Sequence, residues 1–402
     1  MASDPDFGPA ANRDITALHN GLAKMKSSTE MATEIDRRWM RVAIAAARQA
    51  EGRTGSNPPV GCAIISTAGN LIAVGHTARQ GRPHAETAAL QMAGDASRGA
   101  TAYVTLEPCA HTGQTGPCAD AIIAAGIARV VIAVRDPDPR VNGQGIDRLR
   151  ASGIVVQTGV EALAAHRVMA GFLMRMTAGR PLITLKTATS LDGMIALHDS
   201  AKRWITGAAM RRYIHLQRSR ADGLLSAIGT VLADDPEFTC RIAGLEADSP
   251  HRFILDSNLR LPANAKLLES VPAIGLTVFC REDAMPDRIK ALRQSGVEVC
   301  PTASDKGGHL ALEPVMRAIA GAGCGNLMVE SGGKLAASLL QTELPDRIFW
   351  TQSTHLIGSD GIPVIGSMQI DDLPPKPAFN LVSQGSFGPD RFIMLERAAH
   401  IV

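Results

Sequence analysis

Hydrophobic positions in the first half of the chain switch between two periods. Trp39, Met40, Ala43, Ile44 and Ala47 recur at three- and four-residue steps, which predicts a helix ending before Gly52. Apolar runs at 60–65 and 71–74 read as strands, and 86–92 returns to the helical spacing. A strand at 101–106, a helix at 118–125 and a strand at 130–134 follow. After a polar loop at 136–145 come one more helix, a short strand at 154–157 and a helix at 161–176. Strands alternating with helices of this length predict an α/β layer on a parallel or mixed sheet. Residues 1–33, poor in large apolar side chains, read as a mobile extension.

A second series follows Ala178–Gly179–Arg180–Pro181, which reads as a linker. Its apolar runs fall at 182–188, 224–228, 252–255, 276–280, 327–330, 347–351 and 392–394. No internal repeat or low-complexity tract relates the two series. The pattern predicts two unlike α/β domains, 34–178 and 181–402, each long enough to bury its own core.

Composition narrows the class. Of 402 residues, 45% are apolar and 20% charged, as in a globular protein, and 41 basic residues nearly cancel 39 acidic ones. A net charge of +2 and 3% aromatics supply neither the basic field nor the stacking rings that nucleic-acid binding uses. There is no run of ~18 uncharged apolar residues, so no membrane span is expected, and none of the marks of a secretory signal is visible. Seven scattered cysteines argue for a reducing cytoplasm rather than a disulfide framework. Clustered cysteines then become candidates for metal or catalysis.

The sharpest chemical signal is His84–Ala85–Glu86 with Pro108–Cys109 and Pro117–Cys118 downstream. His84 and Glu86 open a helix after Pro83, and Cys109 leaves a strand. Pro117 suits the first turn of the helix that Cys118 begins, where its missing N–H costs nothing. Helix N-termini favour the thiolates that bind metal. One imidazole and two thiolates leave the fourth tetrahedral position of Zn²⁺ to a water, whose pKa falls from ~15.7 towards ~7. Glu86, as the catalytic residue, would take that water's proton and pass it to a leaving amine. This is hydrolytic deamination of an amino-heterocycle, the chemistry of H-x-E…P-C zinc deaminases. Blander readings stay open: a lone buried Cys is commonly plain core, and His111 could close the site as a structural fourth ligand or replace Cys118. Gly113 and Gly116 let the loop fold back to bring Cys118 in, which leaves His111 beside the metal or against substrate.

Eight residues separate the cysteines, where that deaminase pattern has two. The long insert resembles the deaminase of riboflavin biosynthesis, which acts on diaminohydroxyphosphoribosylaminopyrimidine. Asn57–Pro58–Pro59–Val60–Gly61–Cys62 and Asp136–Pro137–Asp138–Pro139 belong to the same family pattern. The resemblance runs from about Thr33 onward and implies a cytidine-deaminase-like first domain in which Asn57 helps hold the pyrimidine. On spacing alone, Asn57–Pro58 is a turn before a strand.

Signals in the second half are weaker one at a time. Gly321, Gly323 and Gly325 follow a helix and precede a strand, the wrong order for a dinucleotide-binding turn. The strand 327–330, then Ser331–Gly332–Gly333, then a helix at 334–340 would present backbone N–H groups to a phosphate. The runs Lys186–Thr187–Ala188–Thr189–Ser190–Leu191–Asp192–Gly193, Trp204–Ile205–Thr206–Gly207 and Thr230–Val231–Leu232–Ala233–Asp234–Asp235–Pro236 complete the set. Together they are similar to the reductase that follows the deaminase in bifunctional riboflavin-biosynthesis proteins. That resemblance implies a dihydrofolate-reductase-like fold and NADPH. It assigns Ala188, Trp204, Thr230, Asp234, Ser257, Gly332, Gly333, Lys334 and Leu335, on to Ser338, to the cofactor. It assigns Lys202, Arg218, Phe238, Arg241 and Glu330 to the substrate. Taken singly, each arginine reads as a solvated charge and Trp204 as core. In the family context Arg218 and Arg241 could grip the ribose phosphate, and Glu330 could accept from ribose hydroxyls or ring N–H groups. No acid–base pair stands out in this half.

The resemblance implies a cytoplasmic bifunctional enzyme with Zn²⁺ and NADPH, acting on a phosphoribosyl pyrimidine, with no nucleic-acid or membrane partner and a homo-oligomer left open. It would deaminate the diaminopyrimidine and then reduce the ribosyl chain to ribityl. One rival is a nucleoside or tRNA deaminase with an unrelated nucleotide-binding C-terminal domain, which the charge balance and scarce aromatics disfavour. The other is a non-catalytic module with structural zinc, which would tolerate loss of Glu86.

Overall fold

A computed structural model describes residues 33–112, 116–138, 141–197, 204–371 and 378–398. The extension expected at 1–33 lies outside these residues except for Thr33, as do Lys202, Gly113 and Pro139. Packing divides the described chain into two units. One holds 33–49, 60–76 and 83–166; the other holds 50–59, 77–82 and everything from 167 onward. The two short excursions belong to the second unit because the buried Asp248 carboxylate binds both Arg53, at 2.7 Å, and Arg79.

The first unit is built on helix α1 (Glu34–Arg48), strands β1 (Gly61–Ile65) and β2 (Leu71–His76), helix α2 (Ala85–Ala93), strand β3 (Thr101–Leu106) and helix α3 (Cys118–Ala124). Strand β4 (Arg129–Val134), helix α4 (Gln144–Ala151), strand β5 (Val155–Thr158) and the start of helix α5 (Ala162–Ala178) complete it. The sheet runs β2-β1-β3-β4-β5, with β1 antiparallel to both neighbours and β3, β4 and β5 parallel. The Thr33 hydroxyl caps α1 by accepting from Asp36 N at 3.1 Å. Burial would raise the Asp36 carboxyl, yet hydrogen bonds from Arg129 and Tyr103 hold it at about 2 and tie α1 to the sheet.

Two glycines let helices approach that sheet at backbone distance. A Cβ on Gly61 would lie 1.9 Å from Ala43 O on α1, and one on Gly75 would lie 2.4 Å from Ala85 O on α2. The second contact seats the N-terminus of α2, where His84 and Glu86 sit. Gly75→Val should therefore lower the thermal unfolding midpoint by overpacking worth about 1–3 kcal/mol and reduce bound zinc with it. An unchanged midpoint would contradict this packing.

The second unit carries β6 (Leu182–Thr189), β7 (Met194–Leu197), α6 (Ala208–Arg218), β8 (Gly223–Ala227), α7 (Ile228–Asp234), β9 (His251–Leu255) and α8 (Lys266–Glu269). It continues through β10 (Leu276–Arg281), α9 (Pro286–Gln294), β11 (Glu298–Thr302), α10 (Leu312–Gly321), β12 (Asn326–Glu330) and α11 (Gly333–Gln341). Strands β13 (Arg347–Gln352), β14 (Gly361–Pro363), β15 (Phe379–Phe387) and β16 (Asp390–Arg397) end it. The nine-stranded sheet runs β11-β10-β9-β8-β12-β6-β13-β16-β15, parallel as far as β13 and antiparallel beyond, while β7 and β14 pair separately. Side chains alternate across it as the pleat demands. Leu224, Ile254 and Val278 join one apolar cluster, and their neighbours Leu225, Phe253 and Phe279 the other. From β8 the strands step outward to β11, and β12 then returns between β8 and β6. This reversal opens a crevice at the carboxyl ends of the parallel strands, the place where such sheets bind ligands.

Candidate active sites

In the first unit, three elements deliver one cluster. His84 is the residue before α2, Cys109 follows β3 closely, and Cys118 is the first residue of α3 after Pro117. Their ligand atoms lie within 4.8 Å of one another. His84 Nδ1 is 3.2 Å from Cys118 Sγ and 3.8 Å from Cys109 Sγ. Tetrahedral zinc with ~2.3 Å bonds to sulfur and ~2.0–2.1 Å bonds to nitrogen would set these separations near 3.6 Å. The donor set therefore fits zinc. Hydrogen bonds from the Cys118 thiol, His84 and the Cys118 N–H outweigh burial and pull the Cys109 thiol down to about 4, towards a thiolate.

Glu86 lies inside the first turn of α2 and is almost fully buried. Burial pushes its carboxyl up to about 7, with the Cys109 charge adding to the rise and His84 opposing it. His111 is not part of the three-ligand cluster among the described residues, and its Nδ1 is buried without a hydrogen-bond partner.

The support for Cys109 comes from a residue that the sequence did not single out. Glu107 is buried and accepts from the backbone N–H groups of Gly143, Gly145 and Ile146 at 3.0–3.2 Å, and of Asp136 at 3.3 Å. Its carboxylate thereby fixes the loop after β4 two residues before the ligand. Asp136 in turn accepts from Asp138 N at 2.9 Å, which gives the Asp136–Pro137–Asp138 motif a turn-forming role. Asn57 lies with the second unit, in a turn where the Thr54 hydroxyl donates to Asn57 O at 2.6 Å.

The crevice of the second unit is a cleft of about 2300 Å³. It is bordered by every cofactor candidate (Ala188, Trp204, Thr230, Asp234, Ser257, Gly332, Gly333, Lys334 and Leu335), and by Arg218, Phe238, Arg241 and Glu330. Trp204 is not core: it is 65% exposed, with the Arg211 guanidinium 4.6 Å from its ring. Phe238 is buried in an apolar cluster and touches the cleft from there.

Parallel register places Lys186 of β6 beside Glu330 of β12, and this yields the pairing that the sequence did not show. Lys186 Nζ lies 3.5 Å from Glu330 Oε2, while Arg218 donates through Nε to Oε1 at 2.6 Å and through its terminal nitrogen to Oε2 at 2.9 Å. Burial would raise the Glu330 carboxyl, but the two cations hold it far below the usual range. The fork of Arg218 is therefore committed to Glu330, and Arg241 is the one of the two arginines with a half-exposed guanidinium. His215, between them, is pushed down to about 4 by burial and by both arginines, so it is neutral. The cleft also fits a dinucleotide. Ser331 Oγ and Thr187 Oγ1 on its wall are buried without partners. A Cβ on Gly332 or Gly229 would meet nothing within 4 Å, so the backbone there is open to a ligand.

Two family profiles match the chain. The profile of the cytidine and deoxycytidylate deaminase zinc-binding region matches residues 33–134, and that of the RibD C-terminal domain matches 181–392. The chain is 35% identical over 367 residues to the riboflavin biosynthesis protein RibD of Aquifex aeolicus (strain VF5), spanning 91% of this chain and 100% of the relative. It is 36% identical over 370 residues to RibD of Escherichia coli (strain K12), spanning 88% and 97%. Acinetobacter baumannii RibD, form 1, matches with a TM-score of 0.81 at 32% identity, over 91% of this chain and 99% of that one. A diaminohydroxyphosphoribosylaminopyrimidine deaminase/5-amino-6-(5-phosphoribosylamino)uracil reductase from Thermotoga maritima matches with a TM-score of 0.79 at 33% identity, over 90% and 99%.

Proposed function

This chain belongs to the RibD family, and from that premise we propose that it catalyses two consecutive steps of riboflavin biosynthesis. The first is zinc-dependent hydrolytic deamination of 2,5-diamino-6-(5-phosphoribosylamino)pyrimidin-4-one. The second is NADPH-dependent reduction of the ribosyl chain to ribityl. The deaminase is assigned to 34–178 and the reductase, of dihydrofolate-reductase-like fold, to 181–402. The observation that carries the reading is the convergence of His84, Cys109 and Cys118 with the buried Glu86 carboxyl at the same helix end.

Zinc held by those three residues supplies an acidified water. Glu86 receives the proton and returns it to the amine nitrogen as ammonia leaves. Asn57 is assigned to the pyrimidine edge. In the reductase, NADPH supplies the hydride. Lys186, positioned by Glu330, is assigned to protonate the ring oxygen released when the ribose C1–O bond breaks and C1 accepts the hydride. Arg241 and Lys202 are assigned to the remaining substrate contacts, with Arg241 on the phosphate. Ala188, Trp204, Thr230, Asp234, Ser257 and Gly332–Gly333–Lys334–Leu335 hold the dinucleotide.

Among the described residues no helix is long and apolar enough to cross a membrane. The reading places the enzyme in the cytoplasm, on a small-molecule substrate and not on nucleic acid. The experiment is to supply the diaminopyrimidine phosphate and follow ammonia and NADPH absorbance in one cuvette. Ammonia release followed by an equal amount of NADPH oxidation is expected. Ammonia release from nucleosides or tRNA, with no NADPH oxidation, would replace this reading with its rival.

A further inference from the structure

Cys109 and Cys118 reach one centre although eight residues lie between them. Bringing the ends of such a stretch together costs conformational entropy. Two bonds at the ligands offset part of it: Ala119 N donates to Cys109 O at 3.2 Å, and Cys118 N to Cys109 Sγ at 3.3 Å. A further closure is made by α4, a helix that carries no ligand.

Helix α4 belongs to the same unit as the cluster and buries Ile146 and Leu149. Gly145 and Arg148, three residues apart and so on one face, meet the segment around Cys109. A Cβ on Gly145 would lie 2.0 Å from Pro108 O, so glycine is what lets the helix come this close to the residue before the ligand. Arg148 meets the residue after it, donating through Nη1 to Ala110 O at 3.1 Å. The same guanidinium reaches the helix of the second cysteine, with Nε 2.7 Å from Asp120 Oδ1. Asp120 is two residues beyond Cys118, in the first turn of α3. One side chain thus bridges the two ends of the stretch, from Ala110 to Asp120. Its own base is fixed, because the N-terminal N–H groups of Gly145 and Ile146 are held by the buried Glu107 carboxylate.

Both partners of the ion pair are half-exposed, and such a pair contributes little to folding. Its geometry does something else. A planar fork that takes a carbonyl and a carboxylate together sets the separation of two chain segments, each bearing a thiolate. We propose that Arg148 is a positioning residue for the metal centre, fixing the span between the two cysteine ligands and so tightening the hold on zinc. The inference rests on the reading of this cluster as a zinc site. Arg148 is not itself a ligand and acts through Ala110 and Asp120.

The test is zinc binding to the full chain, read by competition with a chromophoric chelator, in parent, Arg148→Gln, Arg148→Lys and Asp120→Asn. Arg148→Gln should weaken zinc by about tenfold, the low end of the ~10–100-fold that groups supporting a ligand contribute. Asp120→Asn cuts the bridge at one end only and should weaken zinc by about threefold. The double variant should bind as Arg148→Gln does, because Asp120 acts through Arg148. Arg148→Lys should fall between parent and Arg148→Gln, since it keeps the charge but not the fork. With Co²⁺ in place of zinc, the thiolate-to-metal absorption of Arg148→Gln should shift or lose intensity while its circular dichroism matches the parent, a change that a general loss of folding would not give. Parent zinc affinity in Arg148→Gln overturns the proposal and leaves the zinc site standing. Full additivity in the double variant overturns it as well. A parent chain that takes up no zinc overturns the site and the proposal together.

Discussion

Replacing Glu86 by Gln is expected to slow deamination by about 10³-fold, close to 4 kcal/mol of barrier, within the ~10²–10⁴ that a positioned acid–base group contributes. The amide has nearly the same volume and can be buried at the same helix end, so folding and zinc content should be retained. What it cannot do is receive a proton and give it back. The three ligands come from residues on either side of it and do not depend on its charge. NADPH oxidation with the already deaminated substrate should proceed at the parent rate, because the reductase cleft is bordered entirely by residues of the second unit. A variant that holds zinc and deaminates within about tenfold of the parent would remove Glu86 from the proton path.

The second large effect is expected at Glu330. Its carboxylate compensates two buried or half-buried cations, Arg218 and Lys186. Glu330→Gln leaves them facing each other across a neutral amide, and breaking a buried pair from one side costs about 3–5 kcal/mol. Reduction should fall by at least ~10²-fold as Lys186 loses the group that positions it, while deamination stays near the parent rate. The pH dependence follows from the sign of the shift. A carboxyl held low in the folded state contributes stability that is fully present above the ordinary glutamate pKa of ~4.3. That contribution is lost progressively as pH falls below this value. Urea unfolding of the parent should therefore show stability declining below about pH 4.3, with a shallower decline in Glu330→Gln. Parallel curves would show that the Arg218–Glu330–Lys186 cluster does not stabilise the fold in this way.

Much of the architecture could be read from local signals, and the misses have physical causes. The buried central strands β8, β10 and β12 are short apolar runs and stand out in sequence. Strand β15 was not predicted because it lies at the sheet edge, where Asn380, Ser383, Gln384 and Ser386 leave no apolar stripe. Strand β11, at the opposite edge, contains Pro301 and Glu298, residues that an edge tolerates and a central strand does not. The candidate zinc ligands were visible because H-x-E is a local spacing and both cysteines sit at element ends. Glu107, which holds the loop behind Cys109, carries no such mark: its partners are backbone N–H groups 29 to 39 residues away. The Lys186–Glu330 pair was equally hidden. It depends on β12 returning beside β6, a register that connects residues 144 apart. Trp204, of a residue type that taken singly is usually core, is exposed on the cleft wall.

Zinc K-edge absorption of the metal-loaded full chain reads the first coordination shell directly. The account predicts two sulfurs near 2.3 Å, one imidazole nitrogen near 2.0–2.1 Å and one further light atom without imidazole scattering, as for a water at an open position. A second imidazole, from His111 or any other histidine, would close the tetrahedron and contradict a hydrolytic site.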